Sequence, residues 1–200
     1  MQKALKHLRR DPVLATIIDQ VGEFSMGYRD PDFSSLVRSI LSQQISSKVA
    51  RVFIERLVSR MPDGKITPEA ILRMRLATFR KLGFSAAKTA YIRDLARLTK
   101  NGELIFESLP AMADDEIVAH LTKVKGIGVW TAHMFLMFGL RRPDVLPTGD
   151  LGIRVAMQRA YGLEELPKPA DMHRIAQIWR PWCSVACWYL WRSLDGTAQI

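Results

Sequence analysis

Asp150 stands after Pro147 and Gly149 and opens an apolar-periodic stretch, Leu146-Pro-Thr-Gly-Asp-Leu-Gly-Ile-Arg-Val155. A carboxylate there can stabilise a positive charge developing on a substrate, or orient and deprotonate a water. The amides of a helix start favour the anion that such work needs. Read alone, the same Asp is an ordinary helix cap. Upstream, Leu121-Thr-Lys-Val-Lys-Gly-Ile-Gly-Val-Trp-Thr-Ala-His133 sets Gly126 and Gly128 between two helical patterns. Glycine permits positive φ and close backbone approach, and the amides at the start of the second helix can take a phosphate. Lys123 and Lys125 flank the turn. By itself, Gly-x-Gly is an interhelical turn.

The elements that must position these residues read as helices throughout. Asp11-Pro12 is a capped start and Gly22 a stop. Asp30-Pro31 offers the same start for a segment running to about Gln43, and Ser46 caps a helix carrying Val49, Val52, Phe53 and Leu57. Thr67-Pro68 opens a short helix, Gly83 ends another, and Ser85 caps a longer one that Gly102 follows. Further helices are expected at Asp114 to Lys123, Val129 to Phe138, Asp150 to Gly162, Ala170 to Ile178 and Pro181 to Leu194. No strand pattern or repeat is found. The fold class is all-α, a single unit over 1–200 made of two small helical lobes flanking a cleft. One lobe is expected over 30–145 and the other over 1–29 with 146–200.

Composition narrows the partners. Among the 200 residues, 29 Lys+Arg against 20 Asp+Glu give a net charge of +9, which suits a polyanion but also a plain solvated surface. No apolar run reaches the ~18 residues of a membrane span, and the basic N-terminus lacks a signal-peptide core. An intracellular protein with no membrane partner is expected. Cys183 and Cys187 cannot build a disulfide framework or a four-thiolate cluster, and their i, i+4 spacing places them on one helix face as core residues. His7, His120, His133 and His173 form no ligand pattern, so neither metal nor cofactor is expected.

The order of the motifs adds what none carries alone. The 121–133 string resembles a helix-hairpin-helix. Followed by an apolar helix, a loop and Gly149-Asp150, it resembles the helix-hairpin-helix Gly/Pro-Asp superfamily of base-excision DNA glycosylases. Ser39-Ile-Leu-Ser-Gln-Gln-Ile-Ser-Ser-Lys-Val-Ala50 looks like that family's wedge-bearing helix-loop-helix. Leu82-Gly-Phe-Ser-Ala-Ala-Lys-Thr-Ala-Tyr-Ile-Arg-Asp-Leu-Ala96 and Trp179-Arg-Pro-Trp-Cys-Ser-Val-Ala-Cys-Trp-Tyr-Leu-Trp-Arg192 resemble its 3-methyladenine DNA glycosylase II branch. The likeness runs from about Phe33 to Leu194.

The resemblance implies that Asp150 is catalytic and that Trp130, Trp191 and Met134 meet the damaged base. It implies that Gln44 is the wedge, and that Gly126, Gly128, Lys123, Lys125 and Thr131 meet double-stranded DNA. Met134 stands where a relative has an aromatic residue, which leaves the base preference open. The Cys-rich iron–sulfur loop of the endonuclease III branch has no counterpart. Members that also cut the backbone carry a lysine two positions past the second hairpin glycine; here that position is Trp130. The expected activity is therefore hydrolysis of alkylated-purine glycosidic bonds by a monomer, leaving an abasic site, without lyase action. A glycosylase for an oxidised purine, uracil or mismatch remains an alternative, as does a non-catalytic DNA-binding module.

Overall fold

The computed structural model describes residues 1–195. Twelve α-helices lie among them: α1 (Gln2–Leu8), α2 (Pro12–Val21), α3 (Phe33–Ser42), α4 (Ser47–Val58), α5 (Pro68–Arg73), α6 (Leu76–Lys81), α7 (Ala86–Lys100), α8 (Asp114–Leu121), α9 (Val129–Phe138), α10 (Leu151–Tyr161), α11 (Pro169–Ala176) and α12 (Cys183–Ser193). Short 3₁₀ turns occupy Pro62–Gly64, Phe106–Ala111 and Gln177–Trp179, and no strand occurs among the described residues. None of these helices is long and apolar enough to cross a membrane.

Capping side chains explain six of these starts. Asp11 accepts from the amides of Val13 and Leu14 ahead of α2, Ser46 from Val49 ahead of α4, Thr67 from Ala70 ahead of α5 and Ser85 from Lys88 ahead of α7. The Asp30-Pro31 start is corrected. Asp32, two residues on, accepts from Ser35 N at 2.7 Å and begins α3. Two capping-competent aspartates stand close together there, and the second adjoins Phe33, the first buried apolar residue. The expected helix from Pro181 begins instead at Cys183, after a non-helical Trp182 and with the Cys183 amide donating to Asp144 Oδ1, and the helix expected to reach Ile178 ends at Ala176 in a 3₁₀ turn over Gln177–Trp179. Helix α1 was not anticipated; only Ala4 and Leu8 are buried on it, too few for a periodic signal.

The chain divides into two compact units, Met1–Tyr28 with the chain from Leu136 onward, and Arg29–Phe135. In the first, α12 packs on α2 and on α10, and α1 on α2. Its core holds Leu14, Ile153, Met157, Met172, Trp179, Cys183, Cys187 and Tyr189. Asp11, 5% exposed, also accepts from Tyr161 Oη at 2.5 Å and Trp179 Nε1 at 2.9 Å. One buried carboxylate thus ties the start of α2 to the end of α10 and to the turn before α12. Burial, reinforced by Asp11, pushes the Tyr161 phenol far up. In the second unit α7 packs on α3, α5 and α6, and α3 on α4. Leu36, Ile40, Leu57, Ile71, Phe79, Ile92 and Leu95 are buried there.

The units part between Phe135 and Leu136, inside α9, rather than after residue 145 as expected. The physical reason is a strap from α12. Ser184 donates to Arg142 O at 2.6 Å and accepts from Val145 N at 3.0 Å, and Ser184 N donates to Pro143 O. These bonds hold the loop before Asp150 to the first unit.

Candidate active site

Asp150 is the N-cap of α10 and is 8% exposed. Its Oδ1 accepts from Ile153 N at 2.8 Å and from the indole Nε1 of Trp191 at 2.9 Å. Charge-assisted bonds of this kind are short and directional, so the carboxylate is oriented before any substrate arrives. Trp191 is itself held. Its ring stacks on Phe138 at 5.9 Å with 24° between planes. It also crosses the backbone at Gly152, where a Cβ would lie 3.1 Å from both Asp150 Oδ1 and Trp191 Cδ1. Glycine at 152 lets the indole reach the carboxylate. Nothing in the sequence marks Phe138 or Gly152 for these contacts, although Gly152 lies only two residues past the Asp.

The other carboxylate of the neighbouring loop is committed elsewhere. Asp144 Oδ2 pairs with Arg180 at 2.6 Å and its Oδ1 accepts from Cys183 N at 3.2 Å. It caps the start of α12 and anchors the loop, which is a structural duty. Cys183 and Cys187 are free thiols in the core, and burial pushes both well up, so they are inert. Among the described residues no group of three His, Cys, Asp or Glu could hold a metal ion.

The second unit carries the hairpin, and its two glycines differ. Gly126 has φ +81°, and a Cβ there would run into the ring of Tyr91. Gly128 needs no unusual φ, and a Cβ there would meet nothing within 4 Å. The first glycine is required by the turn; the second leaves open space. Ala132 N donates to Gly128 O at 3.1 Å, which starts α9. Lys123 and Lys125 are exposed, but the backbone amide of Lys125 donates to Asp94 Oδ2 at 2.9 Å. Trp130 is 46% exposed in the first turn of α9, Met134 is half-buried, and Thr131 is 5% exposed. His133 is held below the usual imidazole range by burial, partly opposed by Asp114 and Asp115.

Gln44 lies in the loop between α3 and α4, exposed, at φ +57°. Its neighbour Gln43 reaches across to the hairpin and donates from Nε2 to Gly126 O at 2.8 Å. Lys88 on α7 donates to Leu41 O at 2.5 Å and Gln43 O at 2.9 Å. The sequence reading missed Gln43, Lys88, Tyr91 and Asp94. The last three share a three-residue spacing on α7, which marks one helix face but not what that face touches.

The geometry can be set beside known proteins. Residues 37–181 match the family described as HhH-GPD superfamily base excision DNA repair protein. DNA-3-methyladenine glycosylase 1 of Schizosaccharomyces pombe is 34% identical over 171 residues, covering 84% of this chain and 75% of that protein. A longer Bacillus subtilis relative is 34% identical over 169 residues, which is 82% of this chain but only 59% of the relative. The solved structure of Schizosaccharomyces pombe 3-methyladenine DNA glycosylase in complex with abasic DNA superimposes with a TM-score of 0.84 at 33% identity, over 96% of this chain and 97% of that one. The all-helical fold is therefore that of these glycosylases, and the chain belongs to the HhH-GPD superfamily of base excision DNA repair proteins.

Proposed function

We propose that this chain is a monofunctional DNA glycosylase that hydrolyses the N-glycosidic bond of alkylated purines of the 3-methyladenine type in double-stranded DNA, leaving an abasic site. The observation that carries the reading is the Asp150 carboxylate, buried at a helix start with Ile153 N and Trp191 Nε1 on one oxygen. The names of the relatives point to the same substrate class.

A base within a duplex is out of reach, so the nucleotide must be extruded at a cost of about a few kcal/mol, less for a damaged base. Gln44 is the side chain that enters the vacated stack, where its amide can meet the orphaned partner base. The open backbone at Gly128 and the exposed Lys123 and Lys125 take phosphates, contacts that carry no sequence information. Thr131 is 5% exposed, so the DNA contact expected of its side chain is not carried into the proposal. Trp191 and Trp130 supply aromatic faces suited to a flat and often cationic base, an attraction of ~0.5–2 kcal/mol; Met134 lies one turn beyond Trp130. As the glycosidic bond breaks, positive charge grows on the sugar and the Asp150 carboxylate stabilises it. A water oriented by the same carboxylate adds to C1′, and its proton leaves to the carboxylate or to solvent.

Lyase action needs an amine that attacks C1′. Trp130 occupies the position that would supply it, and an indole has no nucleophilic nitrogen. Purified protein is tested on duplexes carrying 3-methyladenine, 7-methylguanine, hypoxanthine, etheno-adenine, an oxidised purine or uracil. Release of the alkylated purines first, with no borohydride-trapped covalent complex on lesion or abasic DNA, is expected. Preferred release of uracil or the oxidised purine, or trapping abolished by replacing one lysine, would overturn the reading.

A further inference from the structure

One face of α7 carries Lys88, Tyr91 and Asp94 at successive three-residue steps, and between them they meet both the wedge loop and the hairpin. Lys88 donates to the carbonyls of Leu41 and Gln43, at the end of α3 and in the loop that follows. Tyr91 lies against Gly126, and Asp94 accepts from the amide of Lys125. Gln43 closes the ring by donating to Gly126 O. Wedge loop and hairpin are thus fastened to a single helix and to each other.

Gln44 makes this bracing necessary. A non-glycine residue at φ +57° sits in the strained left-handed region and stays there only where its surroundings over-determine it. The carbonyl just before it, that of Gln43, is the one Lys88 holds. A cation at the end of α3 also meets the negative end of that helix. The side chain is partly buried, and burial lowers its proton affinity. A lysine kept in such surroundings by two backbone carbonyls is not a solvated surface charge.

We infer that Lys88 is the positioning residue of the wedge: by holding the Leu41 and Gln43 carbonyls it keeps Gln44 presented in its left-handed conformation and lets Gln43 lock the loop to the hairpin. The inference rests on the wedge role given to Gln44 above. It assigns Lys88 to extrusion and not to bond cleavage or to phosphate binding.

The test compares wild type and Lys88→Met on two duplexes with one alkylated purine, the first fully paired and the second lacking the base opposite the lesion. Extrusion is costly in the first and cheaper in the second. Single-turnover release by the variant is expected to fall about tenfold on the paired duplex and less than about twofold on the unpaired one, with affinity for undamaged duplex unchanged. A 2-aminopurine beside the lesion should brighten with wild type and stay quenched with the variant. Equal losses on both duplexes, or none on either, would overturn the inference. If thermal melting shows Lys88→Met unfolded, Gln43→Met, which removes only the tie to Gly126, is judged on the same duplexes by the same outcomes. Wild type that brightens 2-aminopurine without releasing the base would sink the alkylpurine reading and leave the wedge comparison standing.

Discussion

In the unit of Asp150 the proposed catalytic group is itself the part that is held. The carboxylate is buried, capped by an amide, bonded to an indole, and that indole is stacked on Phe138. In the unit of the hairpin the arrangement is inverted. The candidate contacts Gln44, Lys123, Lys125, Gly128 and Trp130 are exposed, and what is held is the backbone beneath them, through Lys88, Tyr91 and Asp94. One helix organises each half: α12 for the carboxylate, α7 for the loops proposed to face DNA. The difference follows from the tasks. A charge that must meet a transition state gains from preorganisation in a dry setting, whereas phosphates and a duplex must be reached from solvent. Substitutions in the first unit should therefore change rate, and those in the second should change binding and extrusion.

The largest expected effect comes from Asp150→Asn. It keeps an oxygen for Ile153 N and Trp191 Nε1 but removes the charge. Base release should fall at least about 100- to 1000-fold, while affinity for abasic duplex changes little. Near-normal turnover would break the comparison outright. Asp144 would not inherit the role easily, because Arg180 and the start of α12 already hold it.

A smaller loss is expected when the carboxylate keeps its charge and loses its indole. Trp191→Phe retains an aromatic face but deletes the donor to Asp150. A hydrogen bond to a charged group contributes about 1.5–3 kcal/mol, so release should slow about tenfold or more, with DNA affinity intact. Gly152→Ala should act in the same direction, since its methyl would press on Trp191 at 3.1 Å. Loss of DNA affinity in place of rate in either variant would blur the division between the units.

How much of this was legible in the sequence depends on the range of the bond concerned. Caps are local, and Asp11, Ser46, Thr67, Ser85 and Asp150 each accept from an amide two or three residues on. Those starts could be read directly, as could the apolar span Val129–Phe138 and the stop at Gly162. Where two capping residues compete, as at Asp30 and Asp32, local chemistry does not choose; burial of Phe33 does. The bonds that build the site are long-range. Lys88 to Leu41 spans 47 positions, Gln43 to Gly126 spans 83 and Trp191 to Asp150 spans 41. Family resemblance supplied Asp150 and Trp191 as residues, but not the bond between them, and nothing in the spacing of α7 says which loops its polar face will meet.

The two hairpin glycines sharpen the comparison inside the second unit. Gly126→Ala should lower thermal stability by the order of 1–3 kcal/mol, because the residue is left-handed and faces Tyr91. Gly128→Leu should barely change melting, since its Cβ meets nothing within 4 Å. It should weaken binding to every duplex alike, by about tenfold at moderate salt. If Gly128→Leu altered lesion choice at unchanged affinity, the open space there would not belong to the backbone of DNA.

The smallest effect is a pH dependence confined to the hairpin unit. Burial holds His133 below its ordinary value of 6.5, against the opposing pull of Asp114 and Asp115. In the window below 6.5 the unfolded chain therefore binds more protons at this site than the folded one. Stability then rises with pH through that window. The contribution is complete above pH 6.5 and is lost as pH falls towards the folded value. His133→Gln should lose less stability than wild type between pH 7.5 and pH 5. Hydrogen exchange gives the location: on acidification of the wild type, amides of residues 130–135 should loosen before those of residues 184–191, and the variant should narrow that gap. Equal acid sensitivity in wild type and variant would remove His133 from the account. Earlier loosening at 184–191 would place the more labile half of the enzyme around the carboxylate, the reverse of what its bonding describes.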